Sequence, residues 1–238
     1  SEVQHLQAEL TEMSRKVQAA QEGLHGYIGA ITAAQEEERL RLARELHDDT
    51  IQSVIALKQR VQIAQRSVKD QSSSRILNEL ENLAERTVED LRRMTRALRP
   101  IYLEDLGLVT ALEMLAHETN ENNSLDVSFK KSGKEQRLSH EVELALYRIA
   151  QEALSNVVRH AKAKHASLHI NFGEHGIKLE VRDDGTGFQM PKSPTDFAPS
   201  GHFGLLGIRE RADLIGGRLE VQSTVGQGTR LSVRLKKP

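Results

Sequence analysis

The sequence has no cysteine and no tryptophan, and aromatic residues make up only 3% of its 238 residues. Without cysteine the chain can build neither a disulfide framework nor a thiolate nucleophile. Apolar residues are 38% of the total, and because few of them are aromatic, any core is aliphatic. No apolar run is long enough to span a bilayer. The net charge of −1 gives no reason to expect a nucleic-acid partner or an anionic membrane surface.

The first 34 residues carry an apolar residue at spacings that alternate between three and four. These positions are Val3, Leu6, Leu10, Met13, Val17, Ala20, Leu24, Tyr27, Ile31 and Ala34. Such a heptad seam is typical of a coiled coil. It predicts a coiled coil over residues 1–38 and a homodimer with parallel chains.

Two further apolar stripes follow in residues 39–100. The first comprises Leu40, Ala43, Thr50, Val54, Leu57, Val61, Ala64 and Val68. The second follows the turn "KDQSSS" and comprises Leu77, Leu80, Ala84, Thr87, Leu91, Met94 and Leu98. Pro100 cannot continue this second helix, so we expect an antiparallel helical hairpin. One hairpin buries both stripes poorly, and two hairpins of a dimer would form a four-helix bundle.

After Pro100 the pattern changes to a mixture of helices and strands. "EDLGLVTALEMLAHETNEN" predicts one helix, and a second long helix runs from a cap at Ser139 to about Lys162. Strands are predicted at "LDVSFK", "ASLHINF", "IKLEVRD", "RLEVQST" and "TRLSVRL", with a helix at "FGLLGIRERADLIGG". Residues 101–238 therefore form an α/β layered domain, and the fold class is multidomain.

The stretch "RELHDDTIQS" raises the question of what His47 does. It is an ordinary half-exposed helix residue, a metal ligand or a nucleophile. His160, His165 and His169 lie close together in sequence, but their spacing matches no zinc site. The neighbouring Asp48 could accept the Nδ1 proton and leave Nε2 as the attacking nitrogen.

Four glycine- or amide-bearing segments are candidates for a nucleotide site. In "QEALSNVVRHAKA", Glu152, Asn156 and Arg159 share one helix flank, so Asn156 is either a core hydrogen-bonding residue or an oxygen ligand for Mg²⁺. "VRDDGTGF" is either a strand-ending turn or a carboxylate beside glycines that admit a nucleotide. "GHFGLLGI" places glycines 201, 204 and 207 at a helix start, and "GQGT" forms a turn before the last strand.

The order of these segments resembles the ATPase domain shared by histidine kinases, Hsp90, gyrase B and MutL, known as the GHKL or Bergerat fold. "ELHDDTIQ" resembles the phosphoacceptor box of the nitrate-sensor and membrane-lipid-sensor subclass of histidine kinases, as does "LRPIYLEDLGL". The resemblance covers residues 36–238. It implies a dimerisation and phosphotransfer hairpin over 39–100 and an α/β sandwich that binds ATP over 101–238, which follow the coiled coil that the heptad seam predicts over 1–38.

The resemblance also implies roles for individual residues. His47 would be phosphorylated on Nε2 with help from Asp48, and Gln52 would orient a water that dephosphorylates a partner aspartate. Asn156 and Glu152 would bind Mg²⁺, and Asp183 would accept the adenine amino group. The other implied ATP contacts are Arg159, His160, Lys162, Gly185, Gly187, Gly204, Leu205, Gly207 and Thr229, with a lid over residues 188–203.

The implied activity is ATP-dependent autophosphorylation, phosphotransfer to the receiver domain of a response regulator, and phosphatase activity toward that regulator. The chain would be the cytoplasmic part of a sensor that reaches the membrane only through an upstream segment. Two other functions stay open. In an ATP-hydrolysing switch of the same fold His47 would be structural, and in a non-catalytic dimeric adaptor ATP would not bind.

Overall fold

The computed structural model describes residues 2–68, 70–98, 100–122, 125–189 and 203–236. It divides into two compact units, Ser1–Ile101 and Tyr102–Pro238. Most of the predicted lid, residues 190–202 including Gly201, lies outside the described residues. The predicted boundary between a coiled coil and a hairpin near residue 38 stays a prediction.

The first unit consists of helices joined end to end and one tight reversal. Helix α1 spans Glu2–Glu45, a π-helical turn π1 spans Leu46–Ile51, α2 spans Gln52–Ser67, and α3 spans Gln71–Leu98. Asp70 begins α3 by accepting hydrogen bonds from the Ser73 N–H at 2.8 Å and the Ser72 hydroxyl at 2.7 Å. The Ser73 and Ser72 bonds lower the pKa of Asp70 to about 2. Helix α2 thus ends at the extended Val68, and Asp70 caps the next helix.

The π1 turn changes which residues of the hairpin are buried. Ala43 and Ile51 are buried, whereas Thr50, which the sequence placed in the stripe, is exposed. In a regular α-helix each residue turns about 100° around the helix axis, so the side chain of Ile51, eight residues on, would point about 80° away from that of Ala43. A π turn accommodates one additional residue, so the two side chains return to within about 20° of each other. The predicted stripe was therefore wrong at Thr50.

Polar side chains link the α2 and α3 helices at several points. The Lys58 ammonium donates to Glu85 at 2.8 Å, and the Gln62 amide donates to Glu81 at 2.6 Å. Buried apolar side chains of this unit, among the residues described, are Ala43, Ile51, Ala84 and Val88. Exposed apolar side chains on the hairpin include Leu57, Ile63, Ile76, Leu80, Leu83 and Met94. A single hairpin thus leaves several large apolar side chains exposed.

The second unit is built on a five-stranded mixed sheet in the order β1-β2-β3-β5-β4. The strands are β1 Asp126–Gly133, β2 His165–Gly173, β3 Gly176–Asp183, β4 Arg218–Ser223 and β5 Thr229–Lys236. β1 and β2 run parallel, and the other pairs are antiparallel. Inward positions of β2 and β3 alternate with outward ones, as the sequence predicted.

Helices form the second layer of this unit. They are α4 Ile101–Leu106, α5 Leu108–Asn122, α6 His140–Asn156 with its π-helical extension π2 Val157–Ala161, and α7 Phe203–Leu214. The core between helices and sheet is aliphatic, as Leu112, Ile149 and Ile208 illustrate at 0% exposure. A helical region followed by an α/β domain is therefore confirmed.

Two local predictions were wrong in this unit. The helix predicted over residues 104–122 is broken at Gly107, which has a φ of 87° that other residues rarely adopt. Ser139 does precede α6, but its side chain makes no capping hydrogen bond. Instead the buried Glu143 carboxylate accepts from the Leu138 N–H at 3.1 Å, just before the helix.

Candidate functional site

A cavity of about 510 Å³ opens in the α/β unit. It lies where the end of α6, the π2 turn, the end of β3, the start of α7 and the start of β5 come together. Its lining comprises Glu152, Ala153, Asn156, Val157, Arg159, His160, Ala161, Val181, Asp183, Thr186, Gly187, Phe188, Gly204, Leu205, Thr229 and Leu231. The walls combine apolar side chains with a few polar groups, which is typical of a small-molecule site.

Asp183 is the acidic group at the sheet end of the cavity. It is the last residue of β3, and only 6% of its surface is exposed. Burial raises the pKa of Asp183, although its carboxylate also accepts the Gly185 N–H at 2.9 Å. A buried carboxylate with acceptor capacity left over requires a donor, and the cavity is where such a donor would bind.

The adjacent Asp184 has a different environment. It is exposed and accepts the N–H groups of Lys164 and His165, each at 2.9 Å. These backbone hydrogen bonds, with that from His165 the stronger, lower the pKa of Asp184. The pair in "VRDDGTGF" therefore divides into Asp183, which lines the cavity, and Asp184, which fixes the start of β2.

Two glycines let backbone approach the cavity closely. Gly187 has a φ of 58°, and a Cβ there would lie 2.1 Å from the Thr224 carbonyl oxygen. A Cβ on Gly204 would lie 2.6 Å from Glu152 Oε1 and 3.0 Å from Asn156 Nδ2. The first turn of α7 therefore packs directly against the two polar side chains of α6.

The end of α6 supplies further polar groups of the cavity lining. Glu152 and Asn156 are half-buried and one helical turn apart, and the π2 turn adds the exposed Arg159 and His160 to the lining. Lys162 ends this helix in a left-handed conformation with a φ of 50°. This wall therefore brings two oxygen-bearing side chains and two basic residues to one end of the cavity.

Most of the predicted nucleotide residues line this one cavity. Those in the lining are Glu152, Asn156, Arg159, His160, Asp183, Gly187, Gly204, Leu205 and Thr229. Lys162, Gly185 and Gly207 are not in the lining, although Gly185 donates to Asp183. Sequence reasoning missed the apolar wall at Ala153, Val157, Val181 and Leu231, because alternating apolar residues are equally typical of a closed core.

His47 lies in the π1 turn of the helical unit. Its ring is 60% exposed, and Nδ1 lies 3.0 Å from Asp48 Oδ1. Gln52 is exposed at the first position of α2. Within the described part of the chain no group of three His, Cys, Asp or Glu residues could hold a metal ion, so the geometry gives no support to His47 as a metal ligand.

Two family models match the chain. Residues 38–103 match the model described as "Histidine kinase", and residues 141–238 match the model described as "Histidine kinase-, DNA gyrase B-, and HSP90-like ATPase". The chain belongs to the histidine kinases. Its family resemblance, expected from "ELHDDTIQ" and the glycine-bearing segments, is thereby confirmed.

Among curated histidine kinases, the signal transduction histidine-protein kinase/phosphatase DegS of Brevibacillus brevis is 32% identical over 86% of this chain and 53% of its own. The oxygen sensor histidine kinase NreB of Staphylococcus carnosus is 32% identical over 83% of this chain and 56% of its own. This histidine kinase thus spans about half the length of the curated relatives it matches.

A solved structure also aligns with this histidine kinase. The histidine kinase domain of a blue-light activated histidine kinase from Erythrobacter litoralis covers 78% of this chain and 94% of its own, at 18% identity and a TM-score of 0.48. Among the residues described here, no helix has the length and apolar character needed to cross a membrane.

Proposed function

We propose that this histidine kinase binds ATP in the cavity, phosphorylates itself on His47 and passes the phosphoryl group to an aspartate of a response regulator. The observation that carries the proposal is the exposed His47 ring with its Nδ1 held 3.0 Å from Asp48. An ordinary helix histidine needs no such partner. A nucleophile does, because one ring nitrogen must keep the proton while the other attacks.

The chemistry follows from that hydrogen bond. With Nδ1–H donating to Asp48, the lone pair on Nε2 attacks the γ-phosphorus of ATP, the bond to the β–γ bridging oxygen breaks, and ADP leaves with that electron pair. Positive charge develops on the ring, and the Asp48 carboxylate stabilises it. In the next step an aspartate oxygen of the regulator displaces Nε2 from phosphorus, which regenerates neutral His47. Both steps depend mainly on positioning and charge neutralisation.

The cavity can take ATP in one orientation. The buried Asp183 accepts the adenine amino group, and the apolar wall covers the two faces of the base. Arg159 and His160, which also belong to the lining, would lie beside the phosphates, and Lys162 follows at the end of π2. Basic groups at that end complement the phosphate charge.

The residues present also fit Mg²⁺. Asn156 and Glu152 offer hard oxygen ligands one helical turn apart, and Mg²⁺ in nucleotide sites commonly uses one or two protein oxygens with phosphate and water oxygens. Bound there, Mg²⁺ would neutralise phosphate charge. The chain contributes the two side chains and the close approach of Gly204 that fixes them.

Labelling with γ-labelled ATP tests the proposal. We expect label that resists alkali and is lost in acid, as a phosphoramidate requires. Hydrolysis of ATP without a labelled protein would instead support the ATP-hydrolysing switch. Failure of the chain to bind ATP would support the non-catalytic adaptor.

Replacing Asp183 by asparagine is expected to weaken ATP binding by about tenfold to a hundredfold. The reason is that a hydrogen bond to a charged acceptor contributes about 1.5–3 kcal/mol. Titration calorimetry with ATP measures the change. Asp184→Asn is the matched control, because Asp184 is bonded to backbone outside the cavity. Equal ATP affinity in wild type and Asp183→Asn would place the base elsewhere.

The same Asp183 variant should be more stable than the wild type near neutral pH. Burial raises the pKa of Asp183, so the folded chain holds this proton more tightly than the unfolded chain. The free energy of unfolding of the wild type therefore decreases as the pH rises from the pKa of Asp183 in the unfolded chain to its higher pKa in the folded chain. The asparagine side chain of the variant carries no charge and avoids that loss. Melting curves at acidic and neutral pH test it: a variant less stable than wild type at neutral pH contradicts the assignment.

We further propose that the chain is a parallel homodimer. Seam residues whose side chains are described are exposed, such as Met13 at 64% and Tyr27 at 67%, and the hairpin leaves Leu57 and Leu83 uncovered. A second copy would cover both surfaces in a coiled coil and a four-helix bundle. Light scattering should give about twice the chain mass of 26.7 kDa at micromolar concentration. A mass of one chain would contradict the bundle.

The proposed reaction also suggests where this part of the protein works. ATP and receiver domains are found in the cytoplasm, so the described units would act there. Attachment to a membrane would come from an additional upstream segment.

A further inference from the structure

The segment that follows the π2 turn and the segment that follows β3 are joined by backbone contacts. The Thr186 N–H donates to the Ala161 carbonyl at 2.7 Å, and the Asp184 N–H donates to the His165 carbonyl at 3.2 Å. A Cβ on Gly185 would lie 2.3 Å from the Ala161 carbonyl oxygen, so the two backbones touch. Ala161 and Thr186 both belong to the cavity lining. The two segments therefore form one side of the cavity together.

The Asp184 side chain adds two bonds between the same segments. The N–H groups of Lys164 and His165 both donate to its Oδ1, each at 2.9 Å. These two bonds can be removed by substitution, whereas the bonds between backbone groups cannot. Asp184 does not belong to the cavity lining. Any effect of its side chain on a bound molecule must therefore act through the segments that it joins.

The bonds to Asp184 hold a reversal of the chain between the π2 turn and β2. The reversal is at Lys162, whose φ of 50° is one that residues other than glycine rarely adopt. Such a conformation persists where surrounding contacts hold it. The two N–H groups that Asp184 accepts come two and three residues after Lys162. Arg159 and His160 precede Lys162 by three and two residues, so the same bonds restrict where the π2 turn lies.

The joined segments carry two parts of the proposed ATP site. Asp183, which would accept the adenine amino group, directly precedes Asp184, and Arg159 and His160, which would lie beside the phosphates, belong to the π2 turn. We propose that Asp184 is a positioning residue whose Oδ1 holds these two parts in a fixed relation, so that one ATP molecule engages both without first ordering the chain. The proposal rests on the proposed function, because it requires a nucleotide in this cavity.

Titrations with MgATP and with adenosine test the proposal, because adenosine has the base and lacks the phosphates. Asp184→Ala should weaken ATP binding about five- to thirtyfold, the effect of ordering one additional backbone residue on binding. It should leave adenosine binding within about twofold of the wild type. Asp184→Asn keeps a carbonyl oxygen at the position of Oδ1 and should match the wild type with both ligands. Because both variants remove the same charge, the difference between them reports the oxygen alone.

A third variant separates geometry from charge. Asp184→Glu keeps the carboxylate charge but displaces its oxygens by one methylene, so it should show the same selective loss of ATP affinity. This arm holds even if Asp184→Ala does not fold. Glu174→Ala, which removes an exposed acid from the turn between β2 and β3, should match the wild type. In labelling assays Asp184→Ala should raise the ATP concentration for half-maximal labelling and leave the rate at saturating ATP within about twofold.

Three results overturn the inference. They are equal weakening of ATP and adenosine in Asp184→Ala, which a general folding defect would cause, wild-type ATP affinity in both Asp184→Ala and Asp184→Glu, and a loss in Asp184→Asn as large as that in Asp184→Ala. Wild-type protein that binds no ATP overturns the proposed function and this inference together. Wild-type protein that binds ATP, combined with any of the three results, overturns this inference and leaves the proposed function intact.

Discussion

Replacing His47 by glutamine is expected to abolish transfer of phosphate from ATP to the protein while ATP binding is unchanged. Glutamine has a similar length, but the lone pair of its amide nitrogen is delocalised into the carbonyl group and cannot attack phosphorus. The cavity belongs to the other unit, so its residues are untouched by the change. Labelling with γ-labelled ATP should fall to background, and titration calorimetry should give the wild-type ATP affinity.

A second histidine provides the control for this result. His175 is exposed in the turn between β2 and β3 and does not belong to the lining of the 510 Å³ cavity, so His175→Gln should label like the wild type. Label that persists in His47→Gln would assign the phosphoryl group to another residue. Loss of label together with loss of ATP binding would indicate a folding defect, which a melting curve would reveal.

Replacing Gln52 by alanine is expected to remove phosphatase activity and to retain most autophosphorylation. Gln52 begins α2 one turn beyond Asp48 and is exposed, so its carboxamide can hold a water by both donating and accepting. Loss of such a positioning contact can reduce a rate by ~10² or more. Attack of His47 on ATP needs no water, and a neutral amide has no charge to contribute to it.

Both activities should be measured on one preparation, as label uptake from ATP and as decay of a purified phosphorylated regulator. Gln59→Ala is the matched control, because Gln59 is an exposed glutamine of the same helix seven residues further on. Equal loss of both activities in Gln52→Ala would point to a packing defect. Unchanged decay of the regulator would make Gln52 an ordinary surface residue.

The sequence predicted the site better than it predicted the path of the helices. Asp183, Asn156 and Gly204 were predicted from local chemistry and order along the chain, and they line one cavity. Their convergence was predictable because a helix flank, a strand end and a helix start recur in that order in the ATPase family that the sequence resembles.

Both π turns were invisible to sequence reasoning. Helical periodicity assumes one constant angle per residue, so a turn that accommodates an extra residue shifts every later position. This is why Thr50 was placed in the stripe that Ile51 occupies. The first π turn contains His47, and the second contains Arg159 and His160 of the proposed ATP site. Helical periodicity treats both segments as ordinary α-helix.

The contacts of Ser223 illustrate a different limit. A serine at the end of a strand is a common surface residue, and nothing in the local sequence of Ser223 indicates that its hydroxyl contacts Phe188, Gly228 and Thr229. Only the register between β4 and β5, together with the position of Phe188, brings them together. Contacts that depend on the pairing of distant segments require the fold to be known.

The most direct test of this account is the identity of the phosphorylated nitrogen. The contact between Nδ1 of His47 and Asp48 leaves Nε2 as the nucleophile. Phosphorus NMR of the phosphorylated protein, prepared with nitrogen-15 histidine, should show phosphorus coupled to the Nε2 of one histidine. The signal should be absent in His47→Gln. Coupling to Nδ1, or a signal that survives in His47→Gln, would contradict the account.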